Sequence, residues 1–370
     1  MKTIGIFSKV GMAGGSEHRV VQLANGFNQK GLQTFIFAQK NLSDKLKPLL
    51  NPNVTLYENA VLTKKCIYKL QALDILIVVN SDSYSFCKAS FWDGTQGKHH
   101  TNNIDLSQIP HLAFLFNYVV GPAQWLTEIH KINPNLKIFC TSEWFMKNLQ
   151  EESKFDKLRP LNIPSMSICS PVNIHYSQPK TPSDKIRINR HSMAFAYKHD
   201  QDNLKIVKTL CEKYGDKISF KWMGVPSHVR DVNGQDKDEK VVYKEVLEKY
   251  PQFTILPEYS VTVPNLLKET DILLFYISRH RKEPWPRTIA EGMMGGCCCV
   301  TNNNYGMAEQ IDSGKTGYLF DNTDQAIEQL SYLIENPTRI KEVGDNAQKF
   351  AKENFLDEVI INKMLNFLVN

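Results

Sequence analysis

Two glutamates eight positions apart, Glu283 and Glu291, bracket the segment Glu283-Pro-Trp-Pro-Arg-Thr-Ile-Ala-Glu291, which runs into Gly292-Met-Met-Gly-Gly296. Carboxylates accept hydrogen bonds from hydroxyls. A helix start offers the complementary groups, free N–H donors and a positive dipole end. Pro286 suits a first helical position, where its missing N–H is not needed. A helix from about Arg287 to Gly295 would bury Ile289, Ala290, Met293 and Met294 on one stripe. Beginning beside Glu283, it would suit a ligand that carries both phosphates and hydroxyls, as a nucleotide-activated sugar does. The same spacing has a plainer reading. Arg287 and Glu291 stand four apart and could form an exposed ion pair worth roughly 0.2–0.5 kcal/mol.

Three other places carry candidate chemistry. The loop Gly11-Met-Ala-Gly14-Gly15 follows an apolar strand and opens a helix, so its backbone amides could approach a phosphate or a sugar closely. It is neither G-x-G-x-x-G nor followed by a Walker lysine, which argues against a nicotinamide-dependent enzyme. Arg190 precedes and Lys198 follows a strand expected at Met193–Ala196. Both could reach one cleft edge and neutralise a leaving diphosphate. His191 and His199 beside them read as ordinary surface histidines. The eight cysteines form no C-x-x-C pair and no Cys/His ladder, so neither a zinc site nor a disulfide framework is expected. Cys297-Cys298-Cys299-Val300 reads as a buried strand in which Cys is a small apolar residue.

The elements that must position these residues alternate. In the first half, strands are expected at Thr3–Phe7, Thr34–Ala38, Ile75–Asn80, Leu112–Phe116 and Leu136–Cys140, with Ser16 and Ser142 as helix caps. Residues 159–185 hold five prolines (160, 164, 171, 179 and 182) and read as an interdomain connection. The alternation then restarts, with further strands at Ile218–Met223, Phe253–Leu256, Asp271–Ile277, Cys297–Thr301 and Gly317–Phe320. Helices fit Asp202–Tyr214, Lys240–Lys249, Val263–Glu269 and Met307–Ser313, and the interval Pro226–Glu239 reads as a loop. The end is helical, and its last apolar segment, Val359–Val369, is expected to pack back on the body. Helices alternating with strands imply two doubly wound parallel-sheet domains of α/β class, whose ligands bind beyond the carboxyl ends of the strands. The expected boundaries are 1–172, 173–352 and a helical tail 353–370.

At 370 residues the chain is long for one core. A hydrophobic content of 42% and a charged content of 22% describe an ordinary globular protein. No run nears the roughly 18 apolar residues of a spanning helix. The N-terminus has only Ile4–Phe7 before Ser8 and Lys9, too short for a signal peptide, so a cytoplasmic location is expected. The net charge of +5 is uneven: residues 1–172 hold 18 Lys and Arg against 12 Asp and Glu, and the rest hold 26 against 27. The basic excess, with Lys64, Lys65 and Lys69 clustered, fits a solvated surface. Its sharper reading is peripheral association with an anionic membrane face or a lipid-phosphate acceptor. Nucleic acid is disfavoured, because no basic run interleaves with aromatics.

Several of these segments together are similar to one family. Gly14-Gly15-Ser16-Glu17-His-Arg-Val-Val-Gln-Leu-Ala24 resembles the opening of the retaining family 4 glycosyltransferases of GT-B architecture. Thr141-Ser142-Glu143-Trp144 and Ser170-Pro171-Val172-Asn173 resemble that family's strand-end and interdomain signatures. Glu283 and Glu291 match its Glu-x7-Glu motif, and Tyr305-Gly-Met-Ala-Glu309-Gln-Ile-Asp-Ser-Gly314-Lys-Thr-Gly317 matches the segment after it. The resemblance spans nearly the whole chain and is most specific over 283–317.

That likeness implies two Rossmann-like domains facing across a cleft and a hexosyltransferase that acts on a glycan or lipid-linked glycan with retention. Glu283 would contact donor-sugar hydroxyls and Glu291 the ribose diol. Backbone amides of Arg287, Thr288 and Ile289 would hold the sugar phosphate region. Arg190 and Lys198 would be the positive pair on the diphosphate, and Gly14 and Gly15 would close over the donor. The family works without a metal or other cofactor. Arg190 and Lys198 lie further apart than the family's pair, and where many members have a histidine this chain has Phe116-Asn117-Tyr118. Asn117 could donate a hydrogen bond to the sugar but cannot act as a base. A sugar-nucleotide epimerase of the same architecture and a non-catalytic nucleotide-sugar binder are the alternatives.

Overall fold

The computed structural model describes residues 2–8, 15–60, 64–79, 105–117, 124–151, 163–195, 198–225, 249–278 and 282–370. Gly14, most of the Gly11–Gly15 loop, the interval Pro226–Glu239 and nearly all of the helix expected at Lys240–Lys249 lie outside these residues. The chain divides into two compact units, Met1–Pro171 with Asp357–Asn370, and Val172–Leu356. Each is a parallel sheet with helices.

In the first unit the strands are β1 (Thr3–Ser8), β2 (Gln33–Ala38), β3 (Thr55–Tyr57), β4 (Ile75–Val79), β5 (His111–Phe116), β6 (Lys137–Cys140) and β7 (Ser165–Ser167). They stand in the order β3-β2-β1-β4-β5-β6-β7, all parallel. β4 reads Ile-Leu-Ile-Val-Val and is buried throughout, the continuous apolar run that a strand covered on both faces requires. The helices are α1 (Gly15–Gln29), α2 (Lys64–Gln71), α3 (Gln124–Ile132) and α4 (Glu143–Glu151). Ser142 caps α4 as its type suggests, accepting from the Phe145 N–H at 3.1 Å. α1 begins at Gly15, so Ser16 lies inside the helix and is not its cap. Within the lysine cluster, Lys69 Nζ sits 3.8 Å from the centre of the Tyr57 ring.

The second unit has β8 (Ile186–His191), β9 (Ile218–Met223), β10 (Phe253–Leu256), β11 (Ile272–Phe275), β12 (Cys298–Asn302) and β13 (Tyr318–Phe320), in the order β10-β9-β8-β11-β12-β13. All pairs are parallel. Its helices are α5 (Asn203–Tyr214), α6 (Val263–Lys268), α7 (Arg287–Met294), α8 (Tyr305–Ala308), α9 (Thr323–Glu335) and α10 (Pro337–Asn354). α10 runs on to Asn354, past the expected boundary at 352. A last helix, α11 (Asp357–Val369), belongs to the first unit. It buries Ile360, Ile361, Met364 and Leu368 there beside Ile4, Val20 and Phe27, and Phe367 meets Phe139 edge-on at 5.4 Å. Each such side chain contributes about 1.5–3 kcal/mol on burial, which explains why the tail returns.

Three differences from the sequence expectations have physical causes. The first strand of the second unit is Ile186–His191, and Met193–Phe195 lies in the loop after it. The strand is polar because neighbours supply its hydrogen bonds. Asn189 donates to Thr270 Oγ1 at 3.0 Å and accepts from the Lys221 N–H at 2.8 Å. Arg187 forms a two-point pair with Asp271 at 2.9 and 2.7 Å. The stretch 159–185 contains an edge strand, β7, which tolerates the proline before it because an edge has one unpaired side. β3, the opposite edge, is only three residues long and is silent in the pattern.

Candidate functional site

In the second sheet the strand order reverses between β8 and β11: the chain runs outward through β9 and β10, then returns to lay β11 on the other side of β8. The loops leaving the carboxyl ends of these two strands therefore part and leave a crevice, the usual ligand position of such sheets. The residues singled out in the second half of the sequence gather at this point.

Lys198, in the loop after β8, forms an ion pair with Glu283 Oε2, in the loop after β11. The partners are 85 residues apart in sequence, and their side chains are 19% and 13% exposed. Arg190 does not precede the strand, as the sequence suggested. It is in β8 and wholly buried. Its guanidinium donates to the carbonyl of Tyr276 at 2.9 Å and to that of Lys198, and lies over the rings of Phe275 and Trp222 at 5.0 and 5.8 Å. Arg190 thus ties together the exits of both central strands.

The loop bearing Glu283 is held from behind. The Gly306 N–H donates to the Glu283 carbonyl at 3.3 Å. A Cβ on Gly306 would fall on the carbonyl of Pro284, so only glycine permits the approach. Tyr305 beside it has a φ of 51°, a conformation unfavourable for a bulky side chain. The loop after β8 is anchored similarly. The Ala194 N–H donates to Glu258 Oε1 at 2.8 Å, and the Ser192 N–H to the Met223 carbonyl at 3.1 Å.

α7 begins at Arg287, where the sequence placed it, but Pro286 is the extended cap residue just before it and not the first helical residue. Ile289, Ala290, Met293 and Met294 are fully buried. Thr288 Oγ1 donates to the carbonyl of His191 at 3.3 Å, joining the first turn to the end of β8. The Ile289 N–H donates to the Pro286 carbonyl at 3.2 Å, which removes it from the three amides read as ligand donors. Arg287 and Glu291 are paired, but not at the surface. Nε and Nη2 of Arg287 donate to Glu291 Oε1 at 3.2 and 2.9 Å, and both residues are buried. The hydroxyl of Tyr176, in the short 3-10 turn Ile174–Tyr176, touches both, and burial pushes its pKa up.

The two histidines are buried rather than superficial. His191 Nε2 stands 3.7 Å from Glu291 Oε2. Burial lowers the basicity of its imidazole, Glu291 opposes the shift, and Arg190 and Arg287 reinforce it. His199 Nε2 lies 3.2 Å from both the Gly224 carbonyl and Ser192 Oγ. Burial, then Arg190, hold it well below the usual imidazole range. A neutral His199 donating to Gly224 ties the exit of β9 to the loop bearing Lys198.

In the first unit, Asn117 follows β5, and its Oδ1 accepts from Arg19 Nη1 at 2.6 Å. Arg19, on α1 and 1% exposed, also donates to the Ile168 carbonyl at 2.7 Å. Arginine has no acceptor, so this contact fixes the amide with its oxygen inward. Gly15 opens α1. Arg19, Tyr176 and Tyr305 were not singled out in the sequence as site residues. Arg19 lies in a helical pattern that reads as amphipathic, and no spacing signals a buried partner 98 residues away. Among the described residues, no three His, Cys, Asp or Glu side chains gather into a group that could hold a metal.

Residues 180–350, just under half of the chain and most of the second unit, match the family model of glycosyl transferases group 1. Spore coat protein SA of Bacillus subtilis (strain 168) is 30% identical over 96 residues, a stretch spanning 25% of this chain and 25% of that protein. Among solved structures, a glycosyltransferase from Rickettsia africae ESF-5 superposes with a TM-score of 0.72 at 17% identity, covering 99% of this chain and 97% of that one. Anabaena Alr3699/HepE, in complex with UDP and glucose, gives 0.70 at 14% identity over the full length of both. At such identities the likeness shows the fold alone. The chain thus has the two-domain fold of solved GT-B glycosyltransferases, and its second unit carries the sequence pattern of glycosyl transferases group 1.

Proposed function

We propose that this chain is a glycosyltransferase that moves a hexose from a nucleotide diphosphate sugar to a glycan or lipid-linked glycan, with retention at the anomeric carbon and without a metal. One observation carries the reading: Lys198 and Glu283 meet where the strand order of the second sheet reverses, inside the stretch that matches the family model. A cation and a carboxylate side by side suit a ligand that presents an anion next to hydroxyls.

In this reading Lys198 bears on the diphosphate and the Glu283 carboxylate accepts from donor-sugar hydroxyls. Glu291, oriented by Arg287, takes the ribose diol, and the Arg287 and Thr288 N–H groups at the head of α7 serve the phosphate region. Arg190 acts through the backbone by holding the carbonyls of Lys198 and Tyr276. The acceptor hydroxyl attacks the anomeric carbon from the face the diphosphate leaves. The bond from that carbon to the diphosphate oxygen breaks, the new glycosidic bond forms, and the hydroxyl proton passes to the departing diphosphate. The protein supplies position and charge stabilisation. The basic excess of the first half suits an anionic or lipid-phosphate acceptor at a membrane face. Among the described residues no helix is long and apolar enough to cross a membrane.

The test is a thermal-shift screen across UDP-, GDP-, ADP- and dTDP-hexoses, followed by mass analysis of the donor. A bound donor at 100 times its Kd stabilises the protein by about 2.7 kcal/mol. Transfer or slow hydrolysis supports the reading, an isomerised sugar means an epimerase, and an unchanged ligand means a binder. No shift with any donor sinks it.

A further inference from the structure

We infer that the Lys198–Glu283 ion pair makes the site select the intact sugar nucleotide over the nucleoside diphosphate left after transfer. The inference rests on the reading above and adds to it a means of discriminating substrate from product.

The two groups assigned to different parts of the donor are each other's partners. Their backbones cannot easily part. The Lys198 carbonyl accepts from buried Arg190, and its N–H donates to the Phe195 carbonyl at 2.9 Å. The Glu283 carbonyl accepts from Gly306, against which the Pro284 backbone is packed. Only the side chains are left to swing. Glu291 does not compete for Lys198, because Arg287 already holds it.

A ligand that takes Lys198 alone strips Glu283 of its counter-charge. The carboxylate, 13% exposed, is then left unpaired and faces added negative charge, an arrangement that opposes binding. A nucleoside diphosphate is such a ligand. A nucleotide sugar offers both replacements in one molecule, an anion for the ammonium and hydroxyl donors for the carboxylate. The exchange is then complete and no charge is stranded. Once the sugar has left, Glu283 reclaims Lys198, and the diphosphate is released.

Isothermal titration of the full chain tests this, using whichever of UDP, GDP, ADP or dTDP the wild type binds, and the matching hexose donor. Glu283→Gln and Glu283→Ala both remove the competing charge, so both bind the nucleoside diphosphate more tightly, by about tenfold or more, the size of one charge-assisted hydrogen bond. Their preference for donor over diphosphate shrinks accordingly. In a Lys198→Met background, Glu283→Gln brings no such gain. A loosened fold would weaken binding, not tighten it. Diphosphate affinity unchanged or weaker in either Glu283 variant overturns the exchange alone. A wild type that binds none of the four diphosphates and none of their hexose donors overturns the reading of the site, and the exchange with it.

Discussion

Glu283 and Glu291 are eight residues apart and both are paired with a cation, yet the two regions are built on different principles. Glu291 and Arg287 lie on one turn of α7, so the helix itself brings them together, and the surrounding fold only buries them. Glu283 is in a loop, and its partner Lys198 comes from another loop 85 residues away. Nothing local favours that contact. It exists because β8 and β11 are neighbours and because Arg190 and Gly306 hold the two loop backbones. The helical pair is set by its own helix, and the loop pair by the strand order of the sheet.

Four perturbations sharpen that contrast. Arg287→Met takes the guanidinium away from the buried Glu291 carboxylate and should destabilise the second unit by about 3–5 kcal/mol, read as a lowered urea midpoint. A loss below 1 kcal/mol would mean the pair is not part of what supports the unit. Glu283→Gln keeps the fold and should lower the transfer rate by roughly 10²–10³, the effect of losing one group that stabilises developing charge. Wild-type turnover would remove Glu283 from the chemistry.

Gly306→Ala pushes the Pro284 carbonyl away and should cost about 1–3 kcal/mol of stability together with a fall in kcat. A change in stability with kcat untouched would show that the loop position does not matter. The smallest effect is that of pH. His191 and His199 are less basic folded than unfolded, so above the unfolded value near 6.5 neither contributes a pH dependence. As pH falls below about 6.5 the unfolded chain takes up protons first, and stability drops by up to about 1.4 kcal/mol per unit for each histidine. Urea midpoints at pH 7.5, 6.5 and 5.5 should show this slope, and His199→Gln should reduce it. An unchanged slope in that variant would assign the pH dependence elsewhere.

The parts legible from sequence were those whose structure depends on local pattern. The stripe Ile289, Ala290, Met293 and Met294 placed α7 within a residue of its observed start. The apolar run Ile75–Val79 placed β4, and Cys297–Val300 placed all but the end of β12. β8 was misplaced because its inward polar residues find partners on β9 and on the segment leading into β11, which the chain's own pattern does not reveal. The histidines looked superficial for the same reason. Polar residue types suggest water unless the fold supplies hydrogen bonds, and the Gly224 carbonyl does so for His199.

The sequence alone determined the parallel α/β class, the helix at Arg287 and the two carboxylates that bracket its start, because period, capping and spacing act within a few residues of one another. Only the tertiary structure decided that Lys198 meets Glu283, that Arg190 holds backbone rather than facing outward, and that His191 and His199 are buried. Those outcomes depend on strand order and on which loops leave adjacent strands, and contacts across 85 residues leave no local trace in the pattern of the chain.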